Sequence, residues 1–154
     1  MPDKSVMNRN ICIIATEIHE DVSNKMIDAA KAVASSLRLK IQKIEWAPGT
    51  LEIPLTIKEI LEGAVHYDGL VIFGFIQRGK TKHGEIVAHQ STGKILDLQL
   101  AYRMPMAVAI IGPDATQDHA FGKASRTAQK AMRVVAKMID LKAGYGLKKR
   151  SPKH

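Results

Sequence analysis

Gly69-Leu70-Val71-Ile72-Phe73-Gly74 is an apolar run, and Phe75-Ile76-Gln77 carries it into Arg78-Gly79-Lys80-Thr81-Lys82-His83-Gly84-Glu85. The first stretch reads as a buried strand over residues 69–73. The second gathers a hydroxyl, two ammonium groups, an imidazole and a carboxylate in a glycine-containing loop. That set suits an anion held beside a proton-transfer group, so the segment reads as a site.

Three further strand-like runs surround it, at residues 11–15, at the more polar 40–46 and at 106–111. Val22, Met26, Ala29, Ala30, Val33 and Leu37 recur at helical spacing behind the first, with Asp21 or Ser23 available as a cap. Pro48-Gly49 breaks the chain after the second run, and Pro54 suits the first turn of a helix ending near Gly63. Ile86, Val87, Gln90, Ile95, Leu98 and Leu100 mark a third helix that must end before Pro105. Gly112-Pro113-Asp114 closes the last strand. A final helix starts near Thr116 or Ala124 and ends at Leu141, with Ala128, Met132, Val135, Ala136 and Ile139 on its apolar side.

This alternation predicts an α/β three-layer αβα sandwich, flavodoxin-like, with a four-stranded parallel sheet flanked by helices and joined by right-handed crossovers. Ligands of such sheets bind beyond the carboxyl ends of the strands. Residues 16–19, 49–52 and 74–85 meet there.

A chain of 154 residues fits one domain, so residues 1–154 are read as a single unit with flexible tails at 1–9 and 142–154. No apolar run approaches the roughly 20 residues of a membrane span, and the first ten residues carry no secretion signal, so a cytoplasmic protein with no membrane partner is expected. The lone Cys12 lies in an apolar run and reads as strand packing. A net charge of +8 makes nucleic acid a partner to weigh, yet much of the excess sits at Lys142 and in Lys148-Lys149-Arg150-Ser151-Pro152-Lys153-His154, a run that reads as solvated. Three Phe and three Tyr are too few for a base-stacking platform, and nucleic acid is not expected.

Gly74-Phe75-Ile76-Gln77-Arg78-Gly79-Lys80-Thr81 satisfies the literal phosphate-loop pattern G-x-x-x-x-G-K-[ST]. Phe-Ile-Gln-Arg is too bulky and β-favouring to wrap a phosphate with its amides, and no apolar strand ends in a magnesium-holding Asp. A better match comes from two motifs taken together. Pro48-Gly49-Thr50-Leu51-Glu52-Ile53-Pro54 resembles the P-G-[AS]-[FYL]-E-[IL]-P of lumazine synthases, and Arg78-Gly79-Lys80-Thr81-Lys82-His83-Gly84-Glu85 resembles their R-G-x-T-x-H-[FY]-[DE]. Thr50 and Gly84 depart from the pattern, while the order and spacing of the motifs agree, and the likeness runs from about Ile11 to Leu141.

The resemblance implies condensation of 5-amino-6-(D-ribitylamino)uracil with 3,4-dihydroxy-2-butanone 4-phosphate to 6,7-dimethyl-8-ribityllumazine in riboflavin biosynthesis, with neither metal nor organic cofactor. Its two partners are thus small-molecule substrates, one of them phosphorylated, and it implies a homopentamer or a multiple of one, with sites shared between neighbours. By the motif match, His83 is the proton-transfer residue and Glu85 the carboxylate near it. Gly79, Lys80 and Thr81 form the phosphate turn, and Glu52, with Thr50 and Leu51, grips the ribityl hydroxyls. Phe75, Ile76 and Gln77 line the pyrimidine pocket.

Three departures stand out. Ile18, followed by His19, occupies the place of a stacking aromatic, and Val108 replaces the aromatic given by a neighbouring subunit. The family's phosphate-contacting Arg aligns with His119, Gly122 or Lys123, none of them Arg, leaving Lys123, Arg126 and Lys130 as substitutes. These departures keep open a weakened flavin- or lumazine-binding or structural assembly on the same fold; a P-loop protein and a basic RNA-binding module are the remaining alternatives.

Overall fold

The structure, a computed structural model, describes residues 9–150; the expected tails at 1–8 and 151–154 lie outside the described residues. The strands are β1 (Asn10–Thr16), β2 (Lys40–Ala47), β3 (Gly69–Gln77) and β4 (Met106–Ala115). They form one parallel sheet in the order β2-β1-β3-β4. The helices are α1 (Glu20–Ala34), α2 (Ile53–Glu62), α3 (His83–Tyr102) and α4 (Gln117–Arg150), with α2 entered through a 3-10 turn at Thr50–Glu52.

Alternation along the strands builds two cores. Ile11, Ile13, Ala15, Val71, Phe73 and Phe75 turn toward α1 and α4, meeting Val22, Met26, Ala128 and Met132. Cys12, Ile14, Leu70 and Ile72 turn to the opposite face, against Ile53 and Ile57 of α2 and Ile95 of α3. Central β1 and β3 read as unbroken apolar runs because helices cover both faces. Each fully buried Ile or Phe contributes about 1.5–3 kcal/mol of transfer free energy, so the two layers carry most of the fold's stabilisation. β2 lies at the sheet edge and alternates with polar residues, which explains its more polar sequence.

The structure differs from the sequence expectation at element ends. β3 runs on through Phe75, Ile76 and Gln77, consistent with their β-favouring side chains. β4 does not close at Gly112-Pro113-Asp114 but bulges there: Phe75 pairs with Ile111 and Gln77 with Ala115, so three residues of β4 oppose Ile76 alone. Gly112 has φ +104°, and a Cβ on it would lie 2.1 Å from the Ile76 carbonyl oxygen, so glycine is required by both torsion and space.

Neither expected cap serves α1. His19 holds the N-cap position in the left-handed region, while Ser23 Oγ donates to the Thr16 carbonyl at 2.8 Å and Asp21 accepts from Gln117 Nε2 at 2.7 Å. α4 continues past Leu141 to Arg150. Arg9, at the end of the expected amino-terminal tail, is buried, donating to the Ala136 carbonyl at 3.0 Å and pairing with Asp140 at 3.2 Å.

Candidate active site

Beyond the carboxyl ends of β1, β2 and β3 lies a cleft of about 360 Å³. Ile18 and His19 come from the turn after β1, and Gly49, Thr50, Leu51 and Glu52 from the turn after β2. Phe75, Ile76 and Gln77 form the end of β3, while His83 and Val87 come from the first turns of α3. These residues are up to 69 positions apart in the chain, and parallel strands bring them together because every strand ends on the same edge.

The turn after β1 is pinned from below. Thr16 Oγ1 donates to the Ile18 carbonyl at 3.2 Å, and the Ile18 N–H reaches the Pro48 carbonyl at 3.3 Å, tying this turn to the one after β2. The Glu52 N–H donates to the Gly49 carbonyl at 3.2 Å, and the Glu52 carboxylate folds back over that glycine. A Cβ at Gly49 would lie 3.0 Å from Glu52 Oε2 and 3.1 Å from Ile18 Cδ1, so the absent side chain lets carboxylate and isoleucine close one wall. His19 also lines the cleft, its ring centroid 4.6 Å from that of Phe75 at an interplanar angle of 49°.

His83 opens α3, and its N–H donates to Thr81 Oγ1 at 3.3 Å. The first-turn amides of a helix lack intrahelical acceptors, so this end of α3, beside the exposed Lys80 and Lys82, offers donors and positive potential to an anion. Arg78 is engaged elsewhere: its N–H donates to the Ala115 carbonyl at 2.8 Å, and Nε pairs with Asp114 Oδ1 at 2.8 Å. The loop thus hangs from the bulge of β4 while its other end enters α3. A Cβ at Gly84 would lie 3.3 Å from Ile76 Cγ2 and 3.4 Å from Pro113 Cβ, so the glycine lets the start of α3 sit close against both strand ends.

Not every sequence-predicted residue joins the cleft. Gly79, Lys80 and Thr81 are exposed and do not line it, although Thr81 Oγ1 accepts the His83 N–H. Glu85 does not line it; two positions apart on a helix is about 200° of rotation, which points Glu85 and His83 to different sides. Val108 pairs with Ile72 in the sheet and packs on the α2/α3 core. His119, Lys123, Arg126 and Lys130 lie along α4 and none lines this chain's cleft. Val87 was not anticipated, although its i+4 spacing from His83 on a helix was the available signal. The Arg78–Asp114 pair had no sequence signal, because a register shift creates it.

Two other features argue for this cleft by contrast. A larger groove of about 700 Å³ between β2 and α2 shares Leu51 and Glu52, but no imidazole lines it. Cys12 is pushed up to about 11 by burial and then by Glu45, so its thiol stays protonated and packs instead of reacting.

The family model of 6,7-dimethyl-8-ribityllumazine synthase matches residues 8–143. A protein of Staphylothermus marinus named 6,7-dimethyl-8-ribityllumazine synthase is 37% identical over 130 residues, which cover 84% of this chain and 86% of the relative. Proteins of the same name from Aeropyrum pernix and Metallosphaera sedula are each 32% identical, the first covering 83% of this chain and 87% of its own, the second 90% and 89%.

Proposed function

Because the chain belongs to the 6,7-dimethyl-8-ribityllumazine synthase family, we propose that the cleft beyond β1, β2 and β3 is where it joins its two substrates, with His83 as the proton-transfer residue. The protein is a transferase of riboflavin biosynthesis that condenses 5-amino-6-(D-ribitylamino)uracil with 3,4-dihydroxy-2-butanone 4-phosphate. The observation that carries the site reading is that His83 and Glu52 line one cleft while Thr81 is hydrogen-bonded to His83.

In this reading Glu52 accepts hydrogen bonds from the ribityl hydroxyls, with Thr50 and Leu51 beside it, and Ile18, His19, Phe75, Ile76 and Gln77 enclose the pyrimidine. Gly79, Lys80, Thr81 and the start of α3 hold the phosphate. Imine formation expels water, phosphate departs as a neighbouring carbon loses a proton, and closure of the ribityl-bearing nitrogen on the resulting carbonyl expels a second water. Each step moves a proton near the substrates' junction, and His83 serves as the carrier, worth roughly 10²–10⁴-fold in rate. Holding two substrates side by side contributes several kcal/mol more. Glu85 sits in the first turn of α3, where its charge favours the helix start.

The unit proposed is one lumazine-synthase-like domain in a homopentamer or a multiple of it, working in the cytoplasm. Support for assembly comes from apolar side chains without cover in one chain: Ile86 at 59%, Leu96 at 45% and Leu100 at 77% exposure on α3, and Leu55 at 66% on α2. Val108 and one or more of His119, Lys123, Arg126 and Lys130 would then serve a neighbour's cleft. The test supplies both substrates, follows the fluorescent lumazine, and compares wild type with His83→Ala on material sized in the same run. Equal rates for the two would remove His83 from the chemistry; a monomer with full activity would remove the shared site.

A further inference from the structure

The long helix α4 carries more positive charge than a single phosphate can engage. From His119 to Ile139 it holds five cations, Lys123, Arg126, Lys130, Arg133 and Lys137, and no acidic residue. Their spacing of 3, 4, 3 and 4 residues gathers all five into one arc of about 80° on a helix with 3.6 residues per turn. Ala124, Ala128, Met132 and Val135 lie on the opposite side, buried in the core. Lys123 is half-buried and the other four are exposed, so the row faces outward for about 21 Å at 1.5 Å per residue.

Among the described residues none of the five makes an ion pair, and the nearest carboxylate on α4, that of Asp140, is held by Arg9 at 3.2 Å. Like charges three and four residues apart repel and destabilise a helix, and a face that is merely solvated mixes the two signs. The upper cations are those proposed for a neighbour's cleft, where one phosphate meets one or two of them; Arg133 and Lys137 lie further along. A row of this length matches a chain of phosphates, since each strand of a duplex carries one charge per about 3.4 Å of axis. No Phe, Tyr or Trp lies between Gly122 and Ile139, so the row has no surface on which bases stack and meets backbone alone.

We infer that the outer face of α4 is a docking surface for nucleic acid, which lies along Lys123 to Lys137 and is held through its phosphates without regard to base sequence. The sequence expectation of no such partner rested on the terminal run of charge. Helical phase, and not clustering along the chain, gathers these five.

The test follows the fluorescence anisotropy of a labelled single-stranded RNA of about 20 nucleotides, titrated with the full chain at several salt concentrations. Wild type should show log K falling against log salt with a slope of about −3 to −4, the value for roughly five neutralised phosphates on a single strand. The double variant Arg133→Gln, Lys137→Gln should flatten that slope by about 1.4 and weaken binding roughly 10-fold or more near 0.1 M salt, with condensation activity unchanged. Arg133→Lys, Lys137→Arg should bind as wild type does. Absence of RNA binding in wild type, or wild-type affinity in the Gln double variant, overturns the inference. So does loss confined to Lys148→Gln, Lys149→Gln, Arg150→Gln, which would assign the binding to the terminal run. Displacement of the RNA by poly-glutamate as readily as by unlabelled RNA would make the row a surface for acidic protein and overturns it too. RNA binding of the expected slope in a chain that forms no lumazine supports the inference and leaves the catalytic reading to fall alone.

Discussion

The two halves of the cleft are built differently. The half proposed for the pyrimidine and ribityl chain is walled by strand ends and tight turns, with Phe75, Ile76 and Gly49 buried and the turns after β1 and β2 hydrogen-bonded to each other. The half proposed for the phosphate is a loop in which Arg78, Gly79, Lys80, Thr81 and Lys82 are all exposed, and its one arginine is spent on Asp114. In the proposed reading a single chain therefore preorganises the recognition of a flat heterocycle, while for the anion it offers amides, a hydroxyl and solvated lysines. Charge screened by water contributes little, so in the proposed assembly this half would gain the more from cations brought by a neighbour.

The largest disturbance should come at the seam between the halves. Gly112→Ala places a Cβ 2.1 Å from the Ile76 carbonyl oxygen at a φ of +104°, which should cost roughly 3 kcal/mol or more and impair both halves together. Urea denaturation measures the loss; retention of wild-type stability with only one KM changed would separate the halves.

His83→Ala should next lower kcat by about 10²-fold or more with either substrate saturating, since the proton carrier serves the bond between the halves. Steady-state kinetics in both substrates decide this. Glu52→Gln should raise KM for the pyrimidine substrate by roughly 10- to 100-fold and leave the butanone phosphate KM near wild type. A rise in the phosphate KM instead would invert the assignment of the two halves.

On the exposed half the effects should shrink. Thr81→Ala or Lys80→Ala should raise the butanone phosphate KM by about 2- to 10-fold, and the Lys80 effect should fade with added salt while that of Thr81 persists. The smallest effect serves as a control away from both halves. The Cys12 value of about 11 lies above its ordinary 9.0, so the folded state carries no penalty below pH 9, where the thiol is protonated in folded and unfolded chain alike, and loses stability as pH rises from 9 toward 11, where the unfolded chain ionises and the folded one does not. Cys12→Ala should flatten the fall of Tm over that alkaline range and leave both KM values unchanged.

Much of the site was legible in the chain because motif and position agreed. Gly49, Glu52 and His83 belong to strand-end turns, where parallel sheets place ligands, and all three line the cleft. Val87 was missed although it is one helical turn from His83, because a side chain's neighbours across the cleft carry no local pattern. The bulge of β4 read as a strand end, since Gly-Pro-Asp is turn chemistry; pairing with β3 overrode that local preference. Neither Asp21 nor Ser23 caps α1, as Gln117 and the Thr16 carbonyl engage them.

By itself the sequence determined the layered α/β architecture, the family and the turns that line the cleft, because periodicity and motif spacing are local properties written along one chain. Only the tertiary structure decided which side chains share a wall. It set His19 on Phe75 and Ile18 against Gly49, and it turned Glu85 away while hanging the loop at residues 78–82 from Asp114. Those outcomes depend on helix phase, strand register and a left-handed torsion. These are fixed by packing between segments distant in the chain, where a shift of one residue re-aims every side chain beyond it.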